Sequence, residues 1–189
     1  MVWFAASTAQ VTPEAAERFL VLFGLLLAAG IVEIMLTAGW QRAYFRSGFP
    51  IFRRVLIQSS PPQRLDVDRL QDEVEDKRFA AMFVKMIADN EYAFREKLWQ
   101  FGKIMYTPLM HGHIVMLDRQ RSVEVIGRLN WLALILPPYM AYVFYWLFGQ
   151  VLISILTLGA TVGVMWVLYT LQTVRYRQLA AAVSRQQET

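Results

Sequence analysis

Leu129–Thr170 reads LNWLALILPPYMAYVFYWLFGQVLISILTLGATVGVMWVLYT, forty-two residues without an Asp, Glu, Lys, Arg or His. Only Gly149-Gln150 interrupts the apolar run. Each half is about twenty residues, the length needed to cross a hydrocarbon core ~30 Å thick. The stretch predicts two transmembrane helices, residues 129–148 and 151–171, joined by a very tight turn. The rest of the chain agrees. Apolar residues make up 56% of it, above the share of about 45–50% in soluble domains. Cysteine is absent, which excludes disulfides and thiolate metal sites. The net charge of +4 is modest and its basic residues are mixed with acids, so no nucleic-acid partner is expected.

Upstream, Phe19–Trp40 is a second long apolar run with one charge, Glu33. It predicts the first membrane span, residues 19–40. Thr12-Pro13-Glu14 has the chemistry of a helix start: a capping hydroxyl, a proline suited to the first turn and an acid for the helix dipole. No basic residue precedes Arg18, so residues 1–18 do not read as a cleavable leader. Basic residues follow the first span at Arg42, Arg46, Arg53 and Arg54, precede the second at Arg128, and follow the third at Arg175 and Arg177. The turn at Gly149-Gln150 has none. Basic flanks stay inside. The expected topology is N-terminus outside, residues 41–128 inside, turn outside, and a cytoplasmic tail at 172–189, in a bacterial inner membrane or its equivalent.

Residues 41–128 are polar enough to face water and predict a small α+β insert. Ile51–Ile57 has strand-like content, and Ser59-Ser60-Pro61-Pro62 is a loop. Asp66 or Asp68 begins a helix. Leu70, Val74, Phe79, Phe83 and Ile87 recur at helical intervals between charged residues. Phe94, Leu98 and Phe101 continue that spacing up to Gly102, a helix stop. His111–Leu117 and Ser122–Ile126 form a strand hairpin, favoured over one helix running from Asp118 into the second span. The fold class is an integral membrane protein, mainly α, with three spans and an α+β insert between the first two.

Several residues are candidates for function. Glu33 lies ~10 Å inside its span. A carboxylate there is costly unless neutral or paired. It is either a proton or cofactor group, or a structural carboxyl bonded to a hydroxyl, an amide or another subunit. Thr37 and Asn130 are its nearest intramembrane polar candidates. Glu33→Gln would keep a hydrogen-bonding amide. Pro137-Pro138 frees carbonyls in the second span and can kink it around a pocket, or simply shape packing. Gly24/Ala28 and Gly159/Gly163 are small-residue faces suited to helix–helix contact. Tyr139, Tyr142, Tyr145 and Trp146 crowd the outer half of the second span, as an interface belt or against lipid, pigment or another subunit. Arg42, Arg46, Arg53 and Arg54 suit anionic lipid. His111 and His113 would share one strand face, but no third metal ligand stands at useful spacing. No phosphate loop, nucleophile elbow or zinc motif occurs.

The expected function is a non-catalytic accessory subunit of a larger membrane complex, respiratory or photosynthetic, with other membrane subunits and the bilayer as partners. No ligand motif names a cofactor. The alternatives are a membrane-anchored binding module, and a small proton-coupled protein or enzyme built on Glu33.

Overall fold

The computed structural model describes residues 13–75, 81–97 and 109–188. Thr12, Phe79, Leu98, Phe101, Gly102 and the chain-terminal Thr189 lie outside them.

Helix α1 (Pro13–Ala38) begins on the proline expected to open it. Its half-buried residues are Ala16, Phe19, Leu22, Leu26, Gly30, Glu33 and Thr37, one seam along one side. That seam meets α4 (Trp131–Phe148). Phe19 stacks on Trp146 at one end with ring centroids 6.1 Å apart. Glu33 binds the first residues of α4 at the other. The two helices are therefore antiparallel neighbours. α4 continues through Pro137 and Pro138 as helix. Gly149 ends it in the left-handed conformation, φ 62°, which glycine adopts without penalty. Helix α5 (Val151–Glu188) then returns along α4. Ala16–Ala38 and α5 are long and apolar enough to cross a membrane, and Trp131–Trp146 is a shorter apolar helix.

The region between α1 and α4 is built on a five-stranded antiparallel sheet. A short helix α2 (Arg42–Arg46) leads into β1 (Phe49–Ile57). Helix α3 (Val67–Val74) follows the Ser59–Pro62 loop, and the Asp66 side chain caps it by accepting from Arg69 N at 3.1 Å. Then come β2 (Met82–Ala88), β3 (Glu91–Glu96), β4 (Met110–Leu117) and β5 (Ser122–Leu129), in the spatial order β1-β5-β4-β3-β2. The strand at 51–57 and the hairpin after His111 are as the sequence predicts. The long helix from Asp66 is not. It stops at Val74, and Phe83, Ile87 and Phe94 lie on strands. A spacing of four residues fits a helix face, but it also fits a strand face of period two. Asn90, at φ 59°, makes the tight β2–β3 turn that decides for strands.

The expected tail begins at residue 172. Residues 172–188 are the continuation of α5, and they cover one face of the sheet. Tyr176, Leu179, Ala180, Ala182 and Val183 are buried there with Met110, Ile114, Val123 and Val125 of the sheet and Leu70 and Val74 of α3. Two glycines make room for the rings. A Cβ on Gly112 would lie 2.2 Å from the Phe94 ring, and one on Gly127 would lie 2.7 Å from the Tyr176 ring. Those rings meet edge to face at 4.9 Å. The insert thus completes its core only with residues 172–188.

Candidate functional site

The polar side chains singled out in the sequence converge where α1, α2, β4 and α4 meet. The first amides of a helix have no partner within it. Asn130 occupies the capping position of α4, yet its side chain makes no cap bond. Glu33 of α1 does the capping instead. Trp131 N donates to Oε1 at 2.8 Å and Leu132 N to Oε2 at 2.9 Å. The carboxylate also faces the positive end of the helix dipole. The Tyr44 hydroxyl donates to Oε1 at 2.6 Å. Thr37 bonds the Glu33 backbone carbonyl, not its carboxylate. Both carboxylate oxygens accept from donors fixed by other elements, so Glu33 acts as a clamp between α1, α2 and α4.

Beside it, Asn130 turns to His111, with Oδ1 2.7 Å from Nδ1. His111 Nε2 lies 3.3 Å from Ser47 O, and the Tyr44 ring stacks on the imidazole at 4.4 Å. The Ser47 hydroxyl donates to Tyr44 O and accepts from the Trp131 indole at 3.1 Å. Arg128 Nη1 donates to Gly48 O at 2.9 Å. Gly48, at φ 94°, holds a turn where a Cβ would meet Leu129 O at 2.6 Å. Every bond here joins segments far apart in sequence, apart from those within the Tyr44–Ser47 turn.

The electrostatics support a structural junction. Burial and the bond to Glu33 raise the Tyr44 hydroxyl well above its ordinary range, so it remains a donor. Burial lowers His111, against the pull of Asn130 and Ser47. Burial and then Arg128 push His113 down to about 4. His113 is therefore neutral at pH 7. The two imidazoles do share one buried face of β4, as the spacing predicts. Among the described residues no group of three His, Cys, Asp or Glu could hold a metal.

The basic residues are largely engaged. Arg42 Nε reaches Glu91 Oε2 at 2.8 Å, and Arg46 grips both Glu91 oxygens at 2.7 Å. Burial raises the Glu91 carboxyl, but Arg46 and Arg42 outweigh it and hold it below its usual range. Arg53 pairs with Glu124 at 2.8 Å. Arg54 is exposed and no acid pairs with it among the described residues. Arg42, Arg46 and Arg53 are thus ion-paired, with their side chains still more than half exposed.

The small-residue faces look outward. At about 100° per residue, Gly24 and Ala28 lie opposite the seam that α1 presents to α4. Gly159 and Gly163 lie opposite Thr157 and Thr161, the half-buried side of α5. A Cβ on Gly24, Gly159 or Gly163 would meet nothing within 4 Å. Of the aromatic cluster, Tyr142 and Tyr145 are about half exposed, Trp146 stacks on Phe19, and the Tyr139 hydroxyl is buried with no partner among the described residues. Pro137 is buried and Pro138 exposed.

Sequence reasoning missed a second junction. Glu96, at the end of β3, and Arg175, on α5, are each 1% exposed. Arg175 Nη1 donates to Glu96 Oε1 at 3.0 Å, and Gln172 Nε2 to Glu96 Oε2 at 3.0 Å. Gln172 Oε1 accepts from Leu109 N. In the sequence Arg175 reads only as a flanking charge. The available signal is its spacing of three from Gln172, which puts both on one helix face. The chain matches no protein-family model, no curated protein and no solved structure.

Proposed function

We propose that this chain is a non-catalytic subunit of a membrane complex. It crosses the membrane three times with its N-terminus outside, and it binds neighbouring subunits through the outward faces of α1 and α5. The observation that carries this is the bareness of the spans. The apolar windows of α1 and α5 contain no buried residue, and each helix turns its small-residue face away from its own partner helix. Lipid needs no such face, whereas a packed foreign helix does.

The third span rests on geometry. α4 has 18 residues, about 27 Å at 1.5 Å per residue. It runs antiparallel to α1 over the stretch from Glu33 to Phe19, which supports α4 as the third crossing. The basic flanks Arg42, Arg46, Arg128 and Arg177 support an inside sheet domain. The proton-relay alternative loses support because Glu33 is bonded to three donors that belong to the fold.

Gly163→Leu tests the proposal. It should release the protein from its complex, read as the fraction co-migrating on a native gel, while Leu158→Ala releases less. Unchanged co-migration of Gly163→Leu would mean that the face looks at lipid, and the subunit reading would fail.

A further inference from the structure

β1 is an edge strand, paired with β5 on one side and with no described strand on the other. Just past its end, Gln58 N donates to Arg121 O at 2.7 Å. Bonded and non-bonded pairs alternate along an antiparallel ladder. Counting back from Gln58 puts Leu56 and Arg54 in bonded pairs with Val123 and Val125. Ile57, Val55 and Arg53 then turn their own N–H and C=O groups to the open edge. Their side chains stand on the sheet face away from α5. Ile57 is 85% exposed and Val55 47%.

Natural sheets blunt their edges with bulges, charges and proline. The opposite edge, β2, has its register shift between Met86 and Ala88, at the end beside the turn to β3. In β1 the shift falls between Pro50 and Phe52, near the start of α4, and pairing is regular from Phe52 to Ile57. The outer stretch therefore stays straight and open. Its protecting charge is Arg54, which has no acidic partner among the described residues.

We propose that Arg53–Ile57 is a docking edge that accepts an extended segment of another protein as an antiparallel sixth strand. The segment carries apolar residues opposite Ile57 and Val55 and an acidic residue opposite Arg54. Such strand addition takes affinity from main-chain bonds and specificity from alternate side chains. A second copy of this chain does not fit, an argument that rests on the membrane reading above. β1 starts beside Leu129, next to α4, and runs away from the membrane. Copies inserted the same way present parallel edges, so they cannot form the antiparallel pairing used throughout this sheet.

The test uses the full chain, one copy per lipid nanodisc, and the peptide acetyl-Ser-Val-Thr-Val-Glu-Thr-Ser amide. The readout is amide hydrogen exchange. The peptide should slow exchange at Arg53, Val55 and Ile57, and leave Leu56 and Arg54 unchanged. Replacing its Glu by Lys should weaken binding by about tenfold, since opposed like charges across strands are unfavourable. Val55→Pro removes an edge-facing N–H and spares the β5 ladder, so it should abolish peptide binding with unfolding unchanged. If that variant misfolds, the exchange pattern of the parent decides. No slowing at ~1 mM peptide overturns the docking edge, and equal binding of the Lys peptide overturns its acidic specificity. Slowed exchange in discs holding two copies and no peptide overturns the foreign partner and, with it, the shared orientation. None of these outcomes depends on Gly163 or on co-migration.

Discussion

The two halves of α5 invert the usual relation between polarity and burial. Val151–Thr170 has no charge and is bare, with Leu152 66% and Trp166 65% exposed. Leu171–Glu188 carries Arg175, Arg177, Arg185 and Glu188, and it is the half that forms a core. If the chain crosses the membrane as proposed above, one uninterrupted helix serves two solvents. In the first half apolar side chains need no protein cover, because lipid is as apolar as leucine. In the second half water makes burial of Tyr176, Leu179 and Val183 favourable. Burial of Gln172 and Arg175 is offset by the bonds of Gln172 to Leu109 N and Glu96 and by the pairing of the Arg175 charge with Glu96. Hydropathy alone would rank the halves the wrong way round for burial.

The largest effect should come from breaking the buried pair. Arg175→Met leaves a buried carboxylate at Glu96 without its cation and should cost about 3–5 kcal/mol in unfolding in mild detergent. Adding Glu96→Leu to it should recover much of that. A harmless single variant would mean the second half is not the buried one. Glu33→Leu comes next, at about 2–4 kcal/mol, since it removes the α4 cap and the Tyr44 acceptor together. Glu33→Gln should not be silent either. Both oxygens accept N–H or O–H groups, and an amide nitrogen cannot. Faster exchange at the Trp131 and Leu132 amides is the direct check. Unaltered exchange would remove Glu33 from the cap.

Gly127→Ala probes the packing of the second half. Its Cβ would push the Tyr176 ring off the sheet, for about 1–3 kcal/mol by overpacking. The smallest effect belongs to the first half. In the isolated chain Gly163→Leu should change unfolding by less than ~0.5 kcal/mol, as for surface substitutions generally. A larger loss would show that this face is already packed within the chain, and the contrast between the halves would weaken.

Legibility in the sequence followed the range of the interaction. The β4–β5 hairpin was legible because alternation is local, and so was a helix start at Asp66 or Asp68. β2 and β3 were hidden because Phe79, Phe83 and Ile87 are spaced by four, which two periods share. Glu33 stood out as a lone carboxylate, and a hydroxyl or amide partner was within reach of sequence reasoning. Its true partners, the Tyr44 hydroxyl and the amides of Trp131 and Leu132, depend on α1, α2 and α4 meeting at one point. His111 and Asn130 read as unrelated residues, one a weak metal candidate and the other a span polar group, until β4 and α4 set them 2.7 Å apart.

By itself the sequence determined where the apolar helices are, since a backbone in lipid must satisfy its own hydrogen bonds and about twenty uncharged residues suffice to do it. It also determined that the polar insert contains strands. Only the tertiary structure decided what completes that insert. The sheet needs one face covered, and the cover comes from residues 172–188, which local pattern presents as a charged tail. It also decided that Glu33 is a cap and Arg175 a buried cation. The physical reason is the same in each case. A charge acquires its role from the donors and acceptors that long-range packing brings to it, and no local spacing records them.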